Sequence, residues 1–263
     1  MLKHEKTNGK TTPRELMRAA MRRQPTERIP TMPQICHDTP TRMYESVLEG
    51  DWLDGLARCI EDPGVIYDYV IRLVEDVDCD GIRLFVKPEP MKVRRVRDQL
   101  IVLDQETGER IGRIDTMGGG GLVPDKPPPP VETLAEAQKR LDQMVRDFTD
   151  VKLEMLKEAR ERVPHRFVGA PPGGITMNTY TALRGRVQGM LDFYDRPDFV
   201  SAVIDMQAEA MIQRAEKLLK IDIDAFYIGD PAASASLISP KHFEQFCLPA
   251  YKKFCQHFQL SLI

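Results

Sequence analysis

The sequence predicts an α/β fold with parallel strands, because strand signals are followed by a turn and then by a helix start. Residues 225–228 form a short apolar run of aromatic and branched side chains, which is typical of a buried parallel strand. Gly229-Asp230-Pro231 ends this run, and Ser239-Pro240 then supplies an N-cap and a proline at the first helical position. The order of strand, turn and helix also occurs from Phe167 onward. Such βα units predict a parallel sheet.

Local signals mark the other helices. Thr12-Pro13-Arg14-Glu15 is a capping box with proline at the first helical position. Asp62-Pro63 opens a second helix, and the segment ending in Thr133 opens a third, with a further helix running to about residue 161. Pro197 begins the strongest helical pattern, which continues to about residue 220 with apolar residues at i, i+3, i+4 and i+7 spacing.

Residues from about 90 to 121 interrupt this pattern. Residues 92–114 alternate between apolar and charged side chains, and residues 104–108 supply a turn, so this segment predicts a β-hairpin outside the main sheet. Four glycines follow at 118–121. A phosphate-binding loop would need a following Gly-Lys-Ser/Thr and a helix start, and neither is present, so we expect an ordinary loop there.

Composition limits the class of protein. The chain has 263 residues, 42% of them hydrophobic, which suffices for one sizeable core, and we expect a tail at 1–11 and a single domain at 12–263. A net charge of −3 argues against nucleic-acid binding. The sequence shows no membrane-spanning run and no apolar signal segment at its start, so no membrane partner is expected. Five scattered cysteines without a Cys-x-x-Cys pair predict a reduced, cytoplasmic protein.

The carboxyl end of the predicted strand at 225–228 is the first candidate site. Asp230, Ser234 and Ser236 lie in the loop that follows it, and in parallel α/β folds the chemistry takes place at that end of the strands. The alternative is that these side chains only cap helices and stabilise turns. His37 lies between Cys36 and Asp38, but adjacent residues on an extended chain point to different faces, so these three cannot converge on a metal. His37 alone is a plausible polar pocket residue.

Two segments resemble the uroporphyrinogen decarboxylase superfamily: GDPAASASLISPKHFEQFCLPAYKK after residue 228 and VGAPPGGITMNTYTALRG after residue 167. The resemblance implies a single (β/α)8 TIM barrel. It also implies that Tyr180 matches a tyrosine that reaches the substrate in the decarboxylases, with Asn178 close by; the alternative for Tyr180 is a core residue whose hydroxyl is satisfied. We therefore predict Asp230 and Tyr180 as catalytic residues, and Ser234, Ser236 and Asn178 as substrate-binding residues.

The sequence departs from the decarboxylases where their substrate carboxylates are bound. Those enzymes carry Arg-Gln-Ala-Gly-Arg after the first helix, whereas this chain has Gln34-Ile35-Cys36-His37-Asp38-Thr39. A substrate with eight carboxylates needs cationic partners, because burying an unpaired carboxylate is costly. The decarboxylases also carry Phe-Ser-Asp near the second strand, which is absent here, although Asp80 and Arg83 lie nearby. Gln34, His37, Asp80 and Arg83 complete the predicted substrate-binding set.

These departures favour the methyltransferase branch of the superfamily. The resemblance implies methyl transfer between a methylated corrinoid and a thiol, with zinc and a corrinoid as cofactors, since zinc lowers the pKa of a bound thiol. The family's zinc ligands are expected after residue 263, so we predict no metal ligand within the chain and a barrel truncated before its last strands. The expected partner is a small-molecule or corrinoid-protein substrate, and a homodimer is left open. Two alternatives are a cofactor-free uroporphyrinogen decarboxylase and an inactive remnant or binding subunit.

Overall fold

A computed structural model describes residues 11–33, 51–86, 89–116 and 121–259 and divides the chain into two compact units. The first unit contains Met1–Lys126, Glu158–Gly169 and Ile223–Ala225, and the second contains Pro127–Lys157, Ala170–Asp222 and Phe226–Ile263. Helices alternate with parallel strands from Phe167 onward, so the predicted α/β class is confirmed. The closed barrel, the single domain at 12–263 and the tail at 1–11 stay predictions.

The helices and strands are numbered here in chain order. The helices of the described residues are α1 (Pro13–Met21), α2 (Trp52–Glu61), α3 (Val65–Asp76), α4 (Leu134–Arg146), α5 (Asp150–Glu161), α6 (Met177–Arg184), α7 (Arg186–Asp195), α8 (Pro197–Leu218), α9 (Pro240–His242) and α10 (Leu248–His257), with a 3₁₀ turn at Pro231–Ala233 and a π-helical turn at Phe243–Cys247. The strands are β1 (Gly81–Arg83), β2 (Lys92–Val96), β3 (Gln99–Leu103), β4 (Arg110–Ile114), β5 (Leu122–Pro124), β6 (Phe167–Ala170) and β7 (Ala225–Phe226).

The parallel sheet has the strand order β1, β6, β7. Ile82 of β1 lies opposite Val168 of β6, and both side chains are fully buried, as expected for strands covered on both faces. The strand predicted at 225–228 is shorter than expected, although the amide of Tyr227 still donates to the carbonyl of Ala170 at 3.0 Å. The helix that follows begins as predicted, with the Ser239 hydroxyl accepting from the amide of His242 at 3.1 Å.

The segment predicted as a hairpin forms a four-stranded antiparallel sheet in the order β2, β3, β4, β5. An additional tight turn joins β2 to β3 through Arg97, whose φ is +53°, a left-handed conformation that local sequence patterns do not reveal. Leu100 and Ile114 cover one face of this sheet and pack against α2. Helix α2 itself was not predicted, although Asp51 caps it by accepting from the amides of Leu53 and Asp54.

Helix α8 confirms the strongest helical pattern of the sequence. It spans 22 residues, and the predicted apolar positions such as Val200, Ile204 and Met211 are buried in the core of the second unit. Across the described residues, no helix combines the length and the apolar character needed to cross a membrane.

Helix α1 is held in the first unit by Asp224, which precedes β7. The Asp224 side chain is fully buried, and its Oδ1 accepts from Arg14 Nε at 2.8 Å and from Arg18 Nε at 2.7 Å. Its Oδ2 accepts from the amide of Val168 in β6 at 2.9 Å. One carboxylate therefore binds both the helix and the neighbouring strand. The capping box predicted at Thr12 is confirmed and starts this helix.

We expect Asp224→Ala to lower the free energy of unfolding by about 2–4 kcal/mol, because it leaves the Val168 amide and two arginines without their acceptor. Urea denaturation followed by circular dichroism would measure this. The exposed Asp195 is a matched control, and Asp195→Ala should change the free energy by less than about 0.5 kcal/mol. Equal stability of the two variants would contradict the assignment.

Candidate functional site

Asp230 lies in the second unit directly after β7, and its carboxylate caps the start of α6. Its Oδ2 accepts from the hydroxyl of Thr176 at 2.5 Å and from the Thr176 amide at 2.9 Å, while Oδ1 accepts from the amide of Asn178 at 2.8 Å. Thr176 occupies the N-cap position, but its own side chain caps no amide. A carboxylate at a helix N-terminus is favourable both for the orphan amides and for the helix dipole. The loop after β7 is therefore bound to the loop after β6.

Asn178 strengthens this connection. Its Oδ1 accepts from the amide of Ala232 at 3.1 Å, and its Nδ2 donates to the carbonyl of Gly229 at 3.4 Å. Asn178 and Asp230, both predicted as site residues, thus lie together at the carboxyl edge of β6 and β7. The Ser234 and Ser236 hydroxyls follow in the same loop and pair with each other at 2.7 Å, with Ser236 exposed.

The fully buried side chain of Gln207 lies next to Thr176. Gln207 of α8 donates from Nε2 to the Thr176 carbonyl at 2.9 Å, and the Thr176 hydroxyl lies 3.5 Å from the hydroxyl of Tyr251. Burial raises the pKa of Tyr251 above its usual range. Burial also raises the pKa of the fully buried Cys247 to about 11, and the charge of Asp230 adds to this effect. Both groups therefore stay protonated at neutral pH.

The sequence analysis did not predict Tyr251 and Cys247 as residues near the site. Cys247 ends a π-helical turn, and Tyr251 lies in the helix that follows it. Phe243–Cys247 form this turn between α9 and α10. Pro249 follows it, and proline supplies no amide for an α-helical hydrogen bond and collides with the carbonyl four residues earlier. Proline within a helical pattern is thus the signal that could have indicated a change of register here, and π turns are frequent at functional sites.

Tyr180 belongs to a different buried network. Its side chain is fully buried, and its hydroxyl donates to Asp192 Oδ2 at 2.7 Å. Arg184 donates to the same carboxylate from Nε at 2.7 Å and from Nη2 at 3.1 Å, and Gln188 donates at 2.9 Å. Burial alone would raise the pKa of Asp192, but these hydrogen bonds and the charge of Arg184 lower it to about 2. Burial and the hydrogen bond to Asp192 raise the pKa of Tyr180. The catalytic role of Tyr180 stays a prediction.

Asp80 and Arg83 lie in the first unit. The fully buried Asp80 carboxylate accepts from Arg28 Nη1 at 2.7 Å and Nη2 at 2.5 Å, and from the amide of Thr31 at 2.8 Å. Burial raises its pKa, but the hydrogen bonds from Arg28 and the Thr31 amide, together with the charges of Arg28 and Arg166, lower it overall. Both oxygens of Asp80 therefore already accept hydrogen bonds within the protein. The Arg83 guanidinium lies 4.1 Å from the ring centre of Phe85. Gln34 and His37 lie outside the described residues.

No cluster of three or more His, Cys, Asp or Glu side chains with metal-binding geometry occurs among the residues that the structure describes. The fully buried Cys247 is part of no such cluster among these residues. The described residues therefore do not fit a zinc site.

Two comparisons with known proteins bear on this site. Residues 114–261 match the family model described as "Uroporphyrinogen decarboxylase (URO-D)". The chain is also similar to the methylcobamide:CoM methyltransferase MtaA of Methanosarcina barkeri (strain Fusaro / DSM 804), with 27% identity over 151 residues. That alignment covers 56% of this chain and 44% of the relative, so the chain spans less than half of the relative's length. Asp230, Asn178 and Tyr180 lie inside the family match, whereas Asp80 and Arg83 precede it.

We expect the Asp192 network to make stability depend on acid pH. Its folded pKa of about 2 lies below the ordinary value of 3.8, so its contribution is complete above about pH 4 and is lost as the pH falls toward 2. Asp192→Asn should remove about 2 kcal/mol of this pH dependence, measured by urea unfolding between about pH 4 and 2. Asp195→Asn, on the same helix but exposed, is the control. An identical pH dependence in both variants would show that Asp192 titrates normally.

Proposed function

The chain belongs to the uroporphyrinogen decarboxylase family, and from this premise we propose that it forms part of an enzyme that transfers a methyl group between a methylated corrinoid and a thiol. The observation that carries the proposal is the similarity over 151 residues to a methylcobamide:CoM methyltransferase. We further propose that β1, β6 and β7 belong to a (β/α)8 barrel, in which active sites lie at the carboxyl edge of the strands.

The chemistry around Asp230 supports methyl transfer over decarboxylation. The groups that contact the Asp230 carboxylate are a hydroxyl and backbone amides, with an asparagine, a thiol and a phenol close by. A carboxylate in this position would repel a polycarboxylate substrate rather than pair with it. The sequence also has Gln34 and His37 where the decarboxylases have the segment that supplies their substrate-binding arginines. A corrinoid, which carries neutral amide groups around its rim, fits such a surface better.

We assign Asp230 and Asn178 the role of orienting the corrinoid. Asp230 is bound to α6 by three hydrogen bonds, so its carboxylate is fixed before any ligand arrives. A carboxylate offers about four acceptor positions, which leaves capacity for an amide N–H of the ligand. Ser234 and Ser236 would add hydroxyls at the exposed part of the loop. Tyr180, whose hydroxyl is held by Asp192, would act as a positioning residue that stabilises α6.

In such a reaction zinc would lower the pKa of the bound thiol, so that the thiol reacts as a thiolate. Since the described residues do not fit a zinc site, no part of thiol activation is assigned to them. We propose a small-molecule corrinoid or a corrinoid protein as the partner, and a homodimer as the assembly. We also propose a cytoplasmic location, in keeping with four cysteines that form no disulfide among the described residues.

The test is to incubate the purified full-length protein that contains this chain with zinc, methylcobalamin and coenzyme M and to follow the methylated thiol by mass spectrometry. We expect Asp230→Ala to lower kcat/KM by about tenfold or more, since it removes a charge-assisted hydrogen bond to the donor. Asp195→Ala should leave kcat/KM unchanged. Circular dichroism would verify that both variants are folded, because loss of a helix cap also costs about 1 kcal/mol.

A second incubation, with uroporphyrinogen, distinguishes the alternatives. Formation of coproporphyrinogen would contradict methyl transfer and support the decarboxylase. Corrinoid binding without turnover would support a binding subunit, and the absence of both binding and turnover would support an inactive remnant.

A further inference from the structure

Arg214 of α8 carries a guanidinium that meets no oxygen acceptor in the part of the chain that the structure describes. Its Nη1 lies 3.9 Å from the sulfur of Met211, and its Cζ lies 4.4 Å from the ring centre of Phe148. Its Nε is fully buried and has no hydrogen-bond partner. A guanidinium has five N–H donors in a planar fork. No oxygen atom of the described residues accepts from these donors, and the Met211 sulfur is the acceptor of Nη1.

The surroundings do not compensate this charge. Burial lowers the pKa of Arg214 to about 10, and Asp147 offsets this only in part. Among the described residues, the Asp147 carboxylate accepts from Gln143 at 2.7 Å and acts on Arg214 only through its charge, without a hydrogen bond. The Lys217 ammonium, one turn further along α8, donates hydrogen bonds to the carbonyls of Val145 and Phe148 at 3.0 Å each. Arg214 is half-buried, and a cation that is partly removed from water normally has a hydrogen-bonding or anionic partner.

The loop after β6 brings its backbone against this guanidinium. Gly173 has a φ of +135°, and a methyl group in place of its hydrogen would lie 2.5 Å from Met211 Sδ and 3.0 Å from Arg214 Nη1. Only glycine allows this approach. Within the described residues, the amides of Gly173, Gly174 and Ile175 donate to no carbonyl or side chain. Consecutive main-chain amides near a cation are a common way of binding anions.

We propose that Arg214 and the amides of Gly173 and Gly174 bind a small oxyanion, namely a carboxylate, sulfonate or phosphate group. The planar fork of arginine suits two oxygens of such a group. The amides of Gly173 and Gly174 are different from those of Thr176 and Asn178, which Asp230 already occupies. The proposed site does not rest on methyl transfer, since it requires only the residues named here.

The experiment is a titration of the full chain with acetate, methanesulfonate or phosphate at constant ionic strength, followed by ¹H–¹⁵N NMR. The amide signals of Gly173, Gly174 and Ile175 should shift and saturate with at least one anion, and the tightest of the three identifies the chemical class. Arg214→Gln should weaken binding by about tenfold or more, since a charge-assisted hydrogen bond is lost. Arg186→Gln, at an exposed arginine of α7, should leave the affinity unchanged.

Several results would overturn the proposal. The absence of saturable shifts in the wild-type chain would do so, as would an affinity that Arg214→Gln leaves unchanged or that Arg186→Gln lowers equally. If Arg214→Gln does not fold, as its spectrum would show, Arg214→Lys decides the matter. Lysine keeps the charge but loses the fork, so we expect weaker binding at the same amides, and undiminished affinity would contradict a guanidinium site.

Discussion

The carboxylate of Asp230 is the group on which the candidate site depends. It satisfies the first amides of α6, and Asn178 returns two further hydrogen bonds to the loop that contains Asp230. The loop after β6 and the loop after β7 are thus one hydrogen-bonded unit at the strand ends. Asp230 can cap α6 and orient a ligand at the same time. Three donors fix its carboxylate, and the remaining acceptor position then has a defined direction for a fourth donor from the ligand.

Carboxylates flank β7 on both sides. Asp224, before the strand, accepts from the amide of Val168 in the first unit, and Asp230, after it, accepts from the amide of Thr176 in the second. The short strand is therefore held by side chains as well as by its backbone bonds. The same use of acids recurs at Asp80 and Asp192, each fully buried and paired with an arginine. Removing one partner of such a pair lowers the free energy of unfolding by more than the intact pair contributes to it, because the other charge stays buried without a partner.

Arg214 stands apart from this pattern. Asp80, Asp192 and Asp224 all have cationic partners, whereas the Arg214 guanidinium meets only a sulfur and an aromatic ring among the described residues. The Gly173-Gly174 pair, of which Gly173 lies close to Arg214 in space, lacks the motif that marks a phosphate loop, just as the glycines at 118–121 do. The difference is that a long helix brings a cation to Gly173, a feature that a motif search cannot detect.

The sequence by itself determined the family, the α/β class and several helix starts. Capping at Thr12, Thr133 and Ser239 involves residues only three positions apart, so the local sequence contains the whole interaction. Only the tertiary structure decided what the polar residues do. Asp230 and its partner Thr176 are 54 positions apart, and Tyr180 pairs with Asp192 rather than with the strand-end site. Such partners depend on how helices and strands pack, and a single sequence does not encode that in any local pattern.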